Sequence, residues 1–447
     1  MAPRGPLSVP AFRTLWAAGL VSDTGDWLLL IALPIVVYQL TGSAVGTSAA
    51  FAAELAPGIA LAPLGGHLAD ACDRRAVMMA LSAAQALVLL PLLLVHGRQG
   101  LAIVYAVIVA QSGLRALFDP AKNALLPALV EPGQLVPANS LAGLGAAVAR
   151  LAGGPLGGLL LAAGSLRTIV VADALSFGVA GLLIARLPRR AGAGGARPRG
   201  AGGARARLRG AGGARARRRP DSRGGLPAVV RNRAVAAALL VALIADTAQG
   251  IFVVLFVVFV ARRLHGGAAE IGLLRGVQAV GAVAGALLLA ARGHRWAPVA
   301  LAGVGAIAFG VIDMTIWNGP LVTGSEAAYV VLFVCAGAPG VIMETAGISF
   351  LQRTSADAER GRVFAAMGLT ENAGQAVGIV VAGVLTAPLG LMALLDAQAG
   401  LYLAAGVLVM LWARRARPSR AAHRRMTGRR DGLAVGEEPW SKGSSAT

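Results

Sequence analysis

The chain carries little charge: only 14% of its 447 residues are Asp, Glu, Lys or Arg, against about a quarter in a soluble domain. An ordinary water-soluble enzyme is excluded. Its two cysteines, Cys72 beside a charged loop and Cys335 in an apolar run, cannot form a disulfide framework and read as packing residues. Alternation of apolar and polar residues over strand-length segments is missing, which excludes a transmembrane β-barrel. No metal-ligand cluster, nucleophile elbow or phosphate-cradling loop occurs, so no catalytic site, metal site or cofactor is expected, and an ATP-driven pump is disfavoured.

What is present is apolar length. Residues of the AVILMFWYC set make up 56% of the chain, with 60 Gly and a mean hydropathy of +0.70. Runs of about 20 residues, enough to cross a hydrocarbon core roughly 30 Å thick, recur along the sequence. They fall at about 14–38, 45–68, 76–95, 101–118, 139–162, 167–187, 235–260, 270–290, 298–317, 328–349, 363–387 and 391–412. The first is too long for a signal-peptide core, contains Asp23 and Asp26, and is expected to stay attached. The fold class is therefore all-α: a polytopic membrane protein of twelve transmembrane helices.

The net charge of +20 orients these spans. With a cytoplasmic N-terminus, inside segments collect 33 of the 41 Lys and Arg, and outside loops hold four, Arg98, Arg167, Arg262 and Arg263. This satisfies the positive-inside rule and predicts a multi-pass protein of the cell membrane with both termini in the cytoplasm. Most of the basicity sits in two places. The linker from about Pro188 to Arg233 holds 14 Arg against one Asp, and the tail from Ala413 holds nine basic residues against three acidic. Gly-Gly-Ala-Arg recurs in the linker at 194–197, 202–205 and 212–215 with no apolar face. The linker is either a disordered tether that fixes orientation or a binder of anionic lipid headgroups. Without aromatics among the arginines, nucleic acid is not an expected partner.

The linker separates six spans from six, and the halves repeat. Asp23-Thr24-Gly25-Asp26 and, further on, Leu40-Thr41-Gly42-Ser43 correspond to Asp246-Thr247-Ala248-Gln249 and Leu264-His265-Gly266-Gly267, at offsets of 223 and 224. Laying Gly158 on Gly383 sets Arg150 opposite Gln375 and Gly153 opposite Gly378. The expected organisation is a six-helix bundle over 1–187, the linker over 188–233, a second bundle over 234–412 and a basic tail over 413–447. Parallel halves of this kind place a substrate site between them near the midplane.

Gly66-His67-Leu68-Ala69-Asp70-Ala71-Cys72-Asp73-Arg74-Arg75 resembles the signature loop of the major facilitator superfamily. The resemblance implies that Gly66 allows close helix approach, and that Asp70, Arg74 and Arg75 help hold an outward-facing state, with Asp119 as partner for Arg74. Within that superfamily, Phe12-Arg13 with Ser22 to Asp26, Phe118-Asp119-Pro120-Ala121 through Ala138-Asn139-Ser140 read as a fourth loop, and Asp173-Ala174-Leu175-Ser176-Phe177 are similar to the branch of macrolide-efflux and enterobactin-exporter-like proteins. Gly154-Pro155-Leu156-Gly157-Gly158 resembles the Gly-Pro motif of exporters in helix five, with its glycine pair one residue early. In the second half, Ala291-Arg292-Gly293-His294-Arg295 lacks the Asp of the loop motif.

Ionisable residues inside spans are costly and call for a reason. Asp26 lies about midway along the first span with Asp23 one turn earlier, and two neighbouring carboxylates in an apolar setting make a candidate proton-coupling pair. Glu54 and Arg150 lie near the middles of the second and fifth spans. Arg150 is expected to pair with Asp26 or Glu54, either as a transport element or as a permanent ion pair between helices. Asp246 matches Asp23 in the repeat, and Gln375 joins Glu371, Glu344 and Gln278 as candidate cavity residues. Asp313, Glu326 and Asp396 are expected near water or headgroups. Gly154 to Gly158 and Gly281 to Gly285 fit close helix packing, and Pro155 a bend.

These residues, with the resemblance, point to a secondary transporter working as a monomer, taking a small-molecule substrate and protons. The branch resembled implies export of drugs, macrolides or siderophores; metabolite uptake and, from another class, a membrane-embedded enzyme or scaffold are the alternatives.

Overall fold

The computed structural model of the chain describes residues 5–131, 134–163, 165–188, 231–292, 295–355 and 359–415. The basic linker and tail lie almost entirely outside these residues. The described residues contain twelve helices long and apolar enough to cross a membrane. They are α1 (Pro10–Thr41), α2 (Ala44–Ala71), α3 (Arg74–Leu89), α4 (Leu101–Leu129), α5 (Leu135–Ala163), α6 (Leu166–Ala185), α7 (Arg233–Arg263), α8 (Ala268–Arg292), α9 (Pro298–Asn318), α10 (Glu326–Thr354), α11 (Arg360–Leu389) and α12 (Leu391–Arg415).

Helix ends follow local chemistry. Pro10 opens α1 where a missing N–H costs nothing, and Gly42, at φ 65°, closes it by donating its N–H to Tyr38 O at 2.7 Å. Ser43 caps α2, Asp73 caps α3 and Asn232 caps α7, each accepting from a backbone N–H of the first turn. The fourth helix differs from its expected end at 118. It continues through Pro120 and Pro127 to Leu129, so the segment read as a loop after Phe118 is largely helical. Proline removes one backbone donor, and packing against neighbouring membrane helices makes that tolerable.

Large apolar side chains such as Leu94, Leu182 and Leu287 are about two-thirds exposed, as expected where the surroundings are hydrocarbon. Helix α7 is the counter-example: every residue from Ile251 to Val260 is buried. Its Phe252, Phe256 and Phe259 rings pack with Trp317 and Phe333 at the centre of the second half. The two cysteines are exposed and do not serve as packing residues, since a small thiol also fits an apolar outer surface.

The halves are pseudo-symmetric. In the first, α1 packs on α5 and α6, α2 on α4, and α3 on α4 and α6. Adding six to each label gives the packing of the second half: α7 on α11 and α12, α8 on α10, and α9 on α10 and α12. The repeat extends to single residues. A Cβ on Gly153 would meet Thr24 O at 2.8 Å, and a Cβ on Gly378 would meet Thr247 O, its counterpart in the repeat. Helices with glycine at the crossing approach to backbone contact.

Two seams join the halves, α5 with α8 and α2 with α11. At the first, Gly154 and Gly158 face Gly276 and Gly272: a Cβ on Gly272 would lie 2.7 Å from Gly158 Cα. Pro155 lies against Gly276 there. At the second, Gly383 lies against Ser48, whose hydroxyl donates to Ile379 O. Beyond the seams Arg262 of α7 donates to Tyr38 Oη at 2.8 Å and to Gly42 O at 2.9 Å. These bonds fasten the halves at the end where α1 turns into α2 and α7 into α8.

Candidate functional site

Between the halves lies a cavity with two lobes, of about 1030 and 710 Å³. Trp27, Gln249, Arg275, Asn372 and Gln375 line both, so the lobes are continuous. At its deep end the cavity stops at Pro34, Ala50, Val257 and Ile379, just short of the fastened end. At the other it reaches Ala238 near the start of α7, Leu351 in the last turns of α10 and Met367 early in α11. It thus extends toward the end where α1 begins and α12 finishes.

The larger lobe carries a charge ladder between α1 and α4. On α4, Arg115, Asp119 and Lys122 follow one another at i, i+4 and i+7 and share a face. On α1, Asp23 and Asp26 are one turn apart. The two helices run antiparallel, so Lys122 meets Asp23 and Arg115 meets Asp26. Lys122 Nζ lies 3.1 Å from both Asp23 oxygens, and Arg115 Nη1 lies 3.8 Å from Asp26 Oδ2. Arg115 Nε also lies 3.8 Å from Asp119 Oδ2, so one guanidinium serves two carboxylates. Asp26, Glu54, Arg115 and Asp119 line the lobe, whereas Asp23 is turned to Lys122.

Several expectations need correction. Arg150 pairs with neither Asp26 nor Glu54; its guanidinium lies over the Trp27 ring, 5.7 Å from the centroid, in the smaller lobe. Arg115 takes the place foreseen for it, because α4 presents its cation to Asp26 while α5 presents Arg150 to Trp27, one residue further along α1. Asp119 pairs with Arg115 and not with Arg74, being inside α4 and one turn from that arginine. Arg74 instead donates to Ala124 O at 2.9 Å and Ala69 O at 3.1 Å. Arg75 donates to the carbonyls of Ile184 and Ala185 at the end of α6, where a cation suits the helix dipole. The loop arginines therefore bind within their own half. At Gly66 nothing among the described residues stands within 4 Å of the Cβ position, while Gly65 is the close-approach residue, against Ala116 O and Leu117 Cα of α4. The side chain of Asp70 lies outside the described residues.

Asp246, Glu344 and Glu371 line the smaller lobe with Gln278 and Gln375. Asp313 does not reach water: it is buried and accepts from Gln398 Nε2 at 2.8 Å, while Trp317 Nε1 donates to Gln398 Oε1 at 2.9 Å. Asp396 is half-buried and accepts from Asn318 at 2.9 Å. Sequence reasoning gave no role to Asp173, which is fully buried beside Asp26's helix. Ser176 donates to its Oδ1 at 3.1 Å, and its Oδ2 has no partner among the described residues. Nor did sequence reasoning give partners to Arg115, Lys122 or Arg275, although the α4 spacing was a readable signal. Among the described residues no group of three or more His, Cys, Asp or Glu is placed to hold a metal ion.

Comparison with known proteins settles the class. The sequence profile of the Major Facilitator Superfamily matches residues 15–256 and 238–444. The chain belongs to the major facilitator superfamily. Members of that family are membrane transporters, not enzymes. Among curated proteins it is similar to the uncharacterized MFS-type transporter YfiS of Bacillus subtilis (strain 168), 31% identical over 189 residues that make up 41% of this chain and 45% of that protein. The alignment thus spans less than half the length of that relative. Solved superfamily folds superpose over most of the chain. A bacterial homologue of iron transporter ferroportin in an inward-facing state matches with a TM-score of 0.68 at 16% identity, covering 90% of this chain and 98% of that one. A POT family transporter in complex with 5-aminolevulinic acid gives 0.71 at 11% identity, covering 92% and 97%. Nucleoside transporter NupG, solved as a mutant, gives 0.67 at 13%, covering 90% and 99%. At these identities the superfamily members share the fold with this chain.

Proposed function

We propose that this superfamily transporter is a proton-coupled exporter of amphipathic small molecules, of the drug, macrolide or siderophore class, and that it acts as an antiporter in drug resistance. The observation that carries proton coupling is the single guanidinium of Arg115 shared between Asp26 and Asp119 on the cavity wall, with Glu54 in the same lobe. Protonating one carboxylate frees the cation for the other, so a proton entering the cavity changes which helix contacts hold. Resemblance to the macrolide-efflux and enterobactin-exporter-like branch supports the outward direction. The excess of Lys and Arg on one side of the spans supports a cell-membrane protein with both termini in the cytoplasm. In that orientation the cavity reaches toward the cytoplasm, where an exporter collects its substrate. The protein acts as a monomer, and its basic linker is a tether that touches anionic headgroups.

The test is accumulation of ethidium, erythromycin and the anionic drug fusidate in cells that lack their own exporters. Expression should lower accumulation, an uncoupler should restore it, and Asp26→Asn, inserted at normal levels, should abolish the dependence on a pH gradient. Raised accumulation on expression overturns the export reading, and full gradient-driven export by Asp26→Asn overturns the role of Asp26.

A further inference from the structure

Two cavity cations have no acid partner among the described residues. Arg150 of α5 and Arg275 of α8 come from opposite halves and flank the glycine seam. The residue pairs Gly158–Gly272 and Gly154–Gly276 set the antiparallel register, and it places Arg150 across from Val280. Arg275 thus lies five residues deeper than Arg150, about 7 Å at 1.5 Å per residue. Each guanidinium carbon lies over an aromatic ring: Arg150 over Trp27, 5.7 Å from the centroid, and Arg275 over Phe252, 4.9 Å from it. A cation held by a ring face does not use its N–H groups for that contact. Arg275 makes one long bond, 3.4 Å to Gln278 Oε1, and neither arginine has a described carboxylate within ion-pair distance. Asp246, Glu344 and Glu371 line the same lobe but do not pair with them. Both arginines line the smaller lobe, so two positive charges face one cavity.

Such an arrangement is unfavourable when empty and favourable around an anion. Like charges facing one cavity are relieved by an oxyanion that accepts from both, and a planar guanidinium is suited to a carboxylate, phosphate or sulfonate. We infer that Arg150 and Arg275 together bind an oxyanion group of an amphipathic substrate, whose apolar body lies along Trp27, Phe252 and Phe309 of the smaller lobe. The inference rests on the transport reading and narrows it: the preferred cargo carries a negative headgroup. An anion entering from the open end meets Arg150 first and Arg275 deeper. Because the arginines belong to different halves, the bound anion also ties the halves together across α5 and α8.

The test uses three probes with one apolar body, biphenyl-4-carboxylate, biphenyl-4-methanol and biphenyl-4-methylamine, and measures equilibrium binding to the full chain in nanodiscs. The carboxylate should bind at least tenfold tighter than the alcohol. Arg150→Gln and Arg275→Gln should each weaken the carboxylate about tenfold and leave the alcohol within about twofold, tenfold being close to the value of one charge-assisted hydrogen bond. Arg150→Lys and Arg275→Lys keep the charge and should retain part of the preference, which separates recognition from misfolding. Equal binding of carboxylate and alcohol to the wild type, or equal loss of both in the Gln variants, overturns the inference. Uptake of the same probes into proteoliposomes distinguishes the two readings. Carboxylate binding that follows the arginines without any movement overturns transport of this cargo and leaves the oxyanion site standing; movement of the amine or alcohol alone, indifferent to both arginines, overturns the oxyanion site and leaves transport standing.

Discussion

Arg115 reaches across from α4 to place its Nη1 3.8 Å from Asp26 Oδ2, on the wall of the larger lobe. Further along the same two helices, Lys122 holds Asp23 at 3.1 Å, turned away from that lobe. Both rungs join α1 to α4, but only the first lines the larger lobe. Exchanging charges separates the roles. The double variant Asp23→Lys with Lys122→Asp is expected to fold and to keep at least half of wild-type transport, because the rung is rebuilt in reverse. Asp26→Arg with Arg115→Asp is expected to fold as well yet to lose tenfold or more of gradient-driven transport, since the carboxylate then sits on the wrong helix. Proteoliposome flux, normalised to inserted protein, measures both.

Glycine substitutions should divide sharply by contact. A Cβ on Gly378 would lie 2.8 Å from Gly250 Cα and 2.8 Å from Ile251 N, and it would also meet Thr247 O. All three are backbone atoms that cannot swing aside. Gly378→Ala is therefore expected to cost about 1–3 kcal/mol, the usual range for overpacking. At Gly66 nothing among the described residues stands within 4 Å, and Gly66→Ala should be neutral or slightly stabilising, as expected for alanine replacing glycine in a helix. Thermal melting in detergent, followed by size-exclusion recovery, reads the difference.

Gln398 links a buried carboxylate to a buried indole. Replacing it with leucine strands both Asp313 and Trp317, at about 1–3 kcal/mol for each unsatisfied group. Adding Asp313→Asn should return part of that loss, because a neutral amide is less costly to bury unpaired than a charged carboxylate. A double variant that melts no higher than Gln398→Leu alone would show that the stability at this site does not depend on the Asp313 charge.

The spans were legible because hydropathy is a local property: a run of apolar residues declares itself without reference to any neighbour. The repeat was legible for the same reason, as Asp23-Thr24-Gly25-Asp26 and Asp246-Thr247-Ala248-Gln249 carry similar polar letters at one offset, and the matched contacts of Gly153 and Gly378 bear it out. Facing was not legible. Helices surrounded partly by hydrocarbon show little amphipathic periodicity, so nothing in the sequence rotated Arg150 toward Trp27 or Asp313 toward Gln398. Proline misled at α4, where Pro120 and Pro127 look like a loop and are carried within a helix. Gly65 and Gly66 are alike as letters, and only the crossing with α4 tells which one the fold needs.

The bare-backbone seams have a mechanical consequence. Interlocked side chains resist sliding, since each must leave its slot and change rotamer before the surfaces can shift. Where Gly158 and Gly272 meet there is almost no side chain to unlatch, and the same holds where Gly383 meets Ser48 save for one hydroxyl. At these crossings the two six-helix bodies have few side chains to rearrange. Resistance to reversing the cavity is therefore expected at the fastened rim, where Ile35, Tyr38, Ala44 and Phe51 of the first half pack into the core of the second and Arg262 adds its two bonds.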